Sequence, residues 1–345
     1  MGDSKRKVRR DRGRAKEDAA LRRRYPDHRF FKGPARLAAN DRDLRGTLDE
    51  LKRFETFASA ADLPVLLDLY ETNHIDVVAC VLLASSMQRC RLTHGLQIDV
   101  RMPRNGSARF ALAAFGVVAD DDRFDEDALQ GISPQVMKVT SGMKGEPSPG
   151  ARTFKVAKLA EGLVADLTLA DRVHAALNEA ADNVLSWAYG GEGHTPDPAE
   201  RWWVAGLLTN KGATFIALDH GAGIPATAPQ KLGDGLQGYL KSMIQEKDWR
   251  PINAKPSDSQ ILRATIHQRR TVSGLGERGK GLTNMIALID LFPSGFISIF
   301  SGDAYYGYRT PAKDGEQEHC GPLGFQFPGT LIIWQLEART SEARS

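Results

Sequence analysis

Apolar residues fall along the chain in two rhythms, short continuous runs and three-to-four-residue spacings. Leu63-Pro64-Val65-Leu66-Leu67-Asp68-Leu69 is a run of the kind a buried strand needs, and Leu96-Gln97-Ile98-Asp99-Val100 is a second. Residues 76–86 and 108–118 carry apolar side chains at helical spacing. Strand, helix, strand, helix in this order predicts a small α/β layer domain.

The second half repeats the alternation on a larger scale. A helix is expected from Asp171, a good N-cap, to about Tyr189, where Gly190-Gly191 stops it. Val173, Leu177, Ala180, Val184 and Leu185 form its apolar stripe. Residues 201–208 and 213–218 read as a β-hairpin turning at Asn210-Lys211-Gly212. Its second strand runs into Asp219-His220-Gly221-Ala222-Gly223-Ile224-Pro225. Further on, Gly274-Leu275-Gly276-Glu277-Arg278-Gly279-Lys280-Gly281-Leu282 precedes an apolar-periodic stretch, and Gly329-Thr330-Leu331-Ile332-Ile333-Trp334 reads as a closing strand.

At 345 residues the chain suits two domains. Residues 1–35 read as a basic, flexible tail, since Lys and Arg crowd it and large apolar residues are few. Residues 36–135 form the small α/β domain, 136–152 a linker rich in Gly, Ser and Pro, and 153–340 the larger domain. The net charge of +3 hides the tail's excess, so the remainder is mildly acidic. Such a tail can contact nucleic acid, although no nucleic-acid-binding motif accompanies it. No apolar stretch reaches the roughly 18 residues of a membrane span, and the charged start does not fit a secretory leader. Cys80, Cys90 and Cys320 form no CxxC pair and suit a reduced, cytoplasmic protein.

Three segments carry candidate chemistry. Glu179 and Asn183 lie four apart, one turn above each other on a helix face. The carboxylate can orient or deprotonate a nucleophile, and the amide oxygen can ligate a magnesium ion that also binds phosphate. Surface helix polarity explains the same pair. Asp219 at a strand end can accept from an adenine amino group, with Gly221 and Gly223 letting backbone approach the base. A plain glycine turn is the alternative. Gly276, Gly279 and Gly281 can nest phosphates ahead of a helix N-terminus. The run also matches a dinucleotide fingerprint, but residues 266–270 before it are not a buried strand. It nearly matches a P-loop, yet Gly281 stands where Ser or Thr should bind magnesium.

Taken in order, the 179–183 pair, the Asp219 turn, the glycine run and the Gly329-Thr330 strand resemble the GHKL ATPase superfamily. That superfamily includes histidine kinases, gyrase-type ATPases and anti-sigma serine kinases. The resemblance spans about 170 to 336 and implies a two-layer α/β sandwich, the Bergerat fold, behind the smaller N-terminal α/β domain. It implies ATP and Mg2+ as cofactors, Glu179 as general base and Asn183 as magnesium ligand. Asp219 would read adenine, supported by Thr330, with Gly221 and Gly223 as close-packed backbone. Gly276, Gly279 and Gly281 would form the phosphate loop, with Lys280 placed to pair with a phosphate. Residues 232–271 fall where the family keeps its mobile lid.

No histidine-kinase phosphoacceptor helix precedes Glu179. The run Asn178-Glu179-Ala180-Ala181-Asp182-Asn183 with Ala188-Tyr189 is closest to anti-sigma serine kinases, although Trp187 replaces their histidine. The order of the small domain loosely resembles a STAS domain. Ile75-Asp76-Val77-Val78 stands where phosphoacceptor STAS domains carry a serine, so it would be a docking or dimerising module. Two functions follow from the resemblance: an ATPase or serine kinase acting on a protein partner, or an ATP-sensing switch without turnover. A STAS-like protein and a second copy of the chain are the candidate partners, and nucleic acid is a third through the tail.

Overall fold

The computed structural model describes residues 16, 19–40, 43–117, 135–144, 146, 149–163, 167–190, 194–229, 256–271, 281–313 and 316–337. The chain divides into two compact units, a first of Met1–Ala79, Ser85–Ala113 and Val117–Arg123, and a second of the remainder. The architecture is α/β in both.

The first unit holds a three-stranded parallel sheet in the order β1 (Arg29–Lys32), β3 (Val65–Asp68), β5 (Ile98–Arg101). A parallel ribbon pairs β2 (Arg36–Leu37) with β4 (His74–Ile75). Helices α1 (Leu44–Ser59) and α2 (Val77–His94) lie in the crossovers that parallel strands require, and α3 (Gly106–Ala114) follows β5. Asp76 caps α2 by accepting from the Ala79 N–H at 2.8 Å, and it also accepts from Ala39 N–H at 2.7 Å. The expected strand and helix order holds here, with one correction: the tail does not extend to residue 35. Phe30 and Phe31 supply the apolar surface that makes 29–32 a strand, and Phe31 meets the Phe54 ring edge-on at 5.4 Å. Residues 1–15 lie outside the described residues.

The second unit is built on a seven-stranded antiparallel sheet in the order β11-β10-β9-β12-β8-β7-β6. These strands are β6 (Gln135–Met143), β7 (Arg201–Thr209), β8 (Gly212–Asp219), β9 (Gly295–Gly302), β10 (Ala304–Lys313), β11 (Glu316–Gly321) and β12 (Phe327–Glu337). Helices α4 (Gly150–Ala157), α5 (Leu167–Asn183), α6 (Asp258–Thr271) and α7 (Gly281–Ala287) share one core with one face of that sheet. Period-two alternation puts Val204, Phe215, Ala217, Ile299, Ile332 and Trp334 on the helix side. The Trp334 indole N–H donates to the Met285 carbonyl at 3.0 Å, tying β12 to α7. Trp203, Ala205, Ile216, Leu218 and Ile333 alternate with them and are buried as well. That is why these strands read in the sequence as continuous apolar runs.

Three expectations are corrected in this unit. Residues 136–143, assigned by composition to the linker, belong to β6 and pair with β7. Gly142 is a packing residue there, because a Cβ would meet the Trp202 ring at 2.5 Å. Glu146 then fixes the strand end by pairing with Arg152 at 2.6 Å and Arg201 at 2.8 Å. Although burial pushes its carboxyl up, the two guanidiniums hold it below the usual range. Residues 258–271, assigned to the lid, form α6, whose Leu262, Ala264 and Ile266 are fully buried. Residues 232–255 of that segment lie outside the described residues. The helix expected from Asp171 begins at Leu167 and ends in a π-turn, Val184–Ala188. Among the described residues no helix is long and apolar enough to cross a membrane.

Candidate functional site

A cleft of about 730 Å³, counting the open space at its mouth, lies between the end of α5, the centre of the sheet, the short helix 224–229 and α7. Its walls are mostly apolar, with Ala181, Val184, Ala217, Met285 and Ile332 among them, and Asn183, Asp219, Thr227, Thr265 and Thr330 supply polar groups. Asn183, Asp219, Gly223 and Thr330, four of the residues picked from the sequence, therefore meet in one cavity.

Asp219 ends β8 and is only 5% exposed. Burial pushes its carboxyl up to about 6, opposed by hydrogen bonds from the Gly221 N–H and from the Thr330 hydroxyl and N–H. The Gly221 bond is 2.7 Å long. A carboxylate that ionises near neutral pH in an apolar wall is a group poised for recognition.

The turn after Asp219 is shaped by its neighbours. A Cβ on Gly221 would collide with the Ala188 carbonyl oxygen and meet Ala188 Cβ at 2.6 Å. Gly223 has φ +81°, a conformation that favours glycine, and its Cβ position is filled by Ser301 Oγ at 2.8 Å. The Ala222 N–H donates to the Ala188 carbonyl at 2.8 Å. The Tyr189 hydroxyl donates to the Arg201 carbonyl at 2.8 Å and accepts from the His220 N–H at 2.9 Å. The end of the π-turn is thus bonded directly to the Asp219 turn. π-Turns inside helices often mark functional sites, and this one carries Trp187, 39% exposed, into the cleft lining.

Glu179 is half-buried one turn before Asn183 and does not line the cleft. The Asn183 amide nitrogen donates to the Glu179 carbonyl at 2.9 Å and lies 3.5 Å from Glu179 Oε1. Gly221 stands behind the lining, at the π-turn. Gly281 is the first residue of α7. Gly276, Gly279 and Lys280 lie outside the described residues. No group of three His, Cys, Asp or Glu side chains able to hold a metal occurs among the described residues.

Sequence reasoning missed Ser301. It is fully buried, and its Oγ accepts from the Ile224 N–H at 2.8 Å beside Gly329 and Thr330. The signal was present: Ile297 and Ile299 set a core-facing alternation in β9, and Ser301 is the polar residue that continues it. Thr227 and Thr265 were missed as well, because nothing in their local sequence distinguishes them.

Comparison of the chain with protein-family models, with curated proteins and with solved structures finds no match.

Proposed function

We propose that the second unit is an ATP-binding domain of the GHKL type, with a Bergerat sandwich whose cleft takes a magnesium nucleotide. One observation carries this reading. Asn183, Asp219, Gly223 and Thr330 come from three separate stretches of chain and line a single cavity. The residues fit the group: an apolar wall suits a purine, and a buried carboxylate in that wall suits its amino group. Asn183, whose nitrogen is tied to the Glu179 carbonyl, would offer its oxygen to magnesium alongside phosphate oxygens. When bound, the ion offsets phosphate charge. The chain's own part is to bind the base, exclude water from it and orient the hydroxyl of water or of a protein partner beside Glu179.

The placement of Glu179 favours a second reading, an ATP-sensing switch without turnover. Its carboxylate sits beside Asn183 and outside the cleft lining. The two readings separate on one variant. For the enzyme, Glu179→Gln should keep ADP affinity within about threefold, yet lower phosphate release or transfer by about 100-fold or more. Labelled ATP with purified protein and candidate partners measures this. Absence of turnover in the native chain leaves the switch, and absence of nucleotide binding in a thermal-shift assay removes both.

The first unit, with Val77 after the Asp76 cap of α2 where a phosphoacceptor serine would stand, is read as a STAS-like docking module. Radiolabel from ATP recovered on a peptide from residues 65–115 would overturn that assignment.

A further inference from the structure

One edge of the first unit gathers cations that have no carboxylate partner among the described residues. Arg22, Arg23 and Arg24 sit on the helical turns at 19–24, and Arg29 and Lys32 on β1. Elsewhere in the unit, Arg36, Arg53, Arg89, Arg101 and Arg104 each reach an Asp or Glu within 3.9 Å. On this edge the guanidiniums meet rings instead. Arg22 lies 5.5 Å from the centre of the Phe30 ring, Arg24 5.5 Å from that of Tyr25 and Arg29 4.5 Å from that of Phe57. Arg29 also donates to the Ala60 carbonyl at 2.6 Å, which leaves most of its N–H groups free. Successive strand residues project to opposite faces, so Arg29 stands on one face of β1, and Phe30, with Arg22 over it, on the other. β1 is the outer strand of its sheet. The Arg29 and Gly33 N–H groups turn inward to the Pro64 and Asp68 carbonyls, so those of Phe30 and Lys32 point along the outer edge. Ahead of this edge in the sequence, residues 1–15 carry seven Lys and Arg against two Asp.

We propose that this edge binds the sugar-phosphate backbone of a nucleic-acid duplex without reading its sequence. The proposal is independent of the cleft in the second unit. A guanidinium held against a ring keeps its N–H edge for phosphate, which it grips with two parallel hydrogen bonds. Backbone N–H groups between two such guanidiniums add donors of the same kind. Tyr25, Phe30 and Phe57 are all half-buried beneath guanidiniums. They are therefore not offered for stacking on unpaired bases, which single-strand sites depend on. Nor can they enter a lipid surface, as the aromatic side chains of interfacial helices do. Fixed positive charge without stacking rings suits the regular phosphate array of a duplex. Contacts to phosphate position a duplex and carry no base information, so binding follows charge and not sequence.

Fluorescence anisotropy of a labelled DNA duplex of about 20 base pairs, titrated with the full chain between roughly 50 and 200 mM salt, tests this. Affinity should fall steeply with salt, and AT-rich and GC-rich duplexes should bind alike. Arg22→Gln, Arg23→Gln and Arg24→Gln together should lower the slope of log affinity against log salt by about 3 and weaken binding about tenfold or more. Lys32→Gln, on the strand instead of the helical turns, should lower the slope by about 1. All four side chains are exposed, so melting temperatures should stay within about 2 °C of the native chain. Absence of binding at the lowest salt, or an unchanged slope in either variant, overturns the proposal. So does a strong preference for one duplex sequence, or tighter binding to single strands or to phosphatidylserine vesicles than to the duplex.

Discussion

Asp219→Asn should make the nucleotide-free protein more stable at pH 7.5 while removing its response to ADP. The two effects share one cause. In the folded chain the carboxyl is pushed up to about 6, against 3.8 for the unfolded value. Between those values the folded state holds more protons than the unfolded state, so stability falls as pH rises through the window. Above pH 6 the buried charge costs about 3 kcal/mol, and below pH 3.8 the cost is absent. The neutral amide escapes it. Melting temperature should therefore rise by roughly 5 °C or more at pH 7.5, and the gain should shrink as pH approaches 4. With an amide NH2 aimed at the base, donor meets donor, and the ADP-dependent shift should vanish. In the native chain the same titration should make ADP affinity level off above about pH 7 and about tenfold weaker at pH 5 than at pH 7. A variant that loses stability at pH 7.5, or one that keeps its ADP shift, would contradict this account of the carboxylate.

Gly329→Ala should unfold the site from the other side. Gly329 has φ +91°, and an added Cβ would overlap the Asp219 carbonyl oxygen and meet His220 Cα at 2.7 Å. Those atoms are backbone, so neither can rotate aside. Strain from the left-handed conformation and forced movement of β8 add to about 3 kcal/mol or more, a melting-temperature drop of roughly 10 °C. ADP binding should fall with it, because the carbonyl being displaced belongs to Asp219 itself. By contrast, Gly324 also has a left-handed φ, of +73°, but nothing lies within 4 Å of its Cβ position. Gly324→Ala should therefore cost only the conformational part, about 1–2 kcal/mol, with ADP binding retained. Equal losses at the two positions would show that crowding against Asp219 is not what matters.

Some of this was legible in the chain. Strands 65–68 and 98–101, the 201–219 hairpin and the 327–337 strand declared themselves because apolar runs and a two-residue turn are local signals. Asp219 could be named because it stands at a strand end just before a glycine turn, whereas Thr330 was named only through the resemblance. What failed had a common origin. Gly142 looked like linker because glycine is ambiguous: it serves flexibility and close packing alike, and only the Trp202 ring decides which. The start of the chain looked too polar to fold because two phenylalanines among many arginines do not outweigh composition, yet they suffice for a four-residue strand. Residues 258–271 looked like lid because polar residues outnumber apolar ones there, while the few apolar ones fall on one helical face. Ser301 continues the local alternation of Ile297 and Ile299, but its place beside Thr330 depends on a register between strands that no local pattern encodes.

The order of strands has a consequence for how the protein is made. β12 lies between β8 and β9 in the sheet, and Thr330 is joined to Asp219 across about 110 residues of chain. A ribosome-bound chain that has emerged only as far as β9 carries the carboxylate, the turn and the helix but no wall between them. A ligand of the cleft cannot help such an intermediate, since ligands stabilise only the state that holds the complete site. The middle of this sheet has to wait for β12, and until it arrives the apolar edges of β8 and β9 stay unpaired.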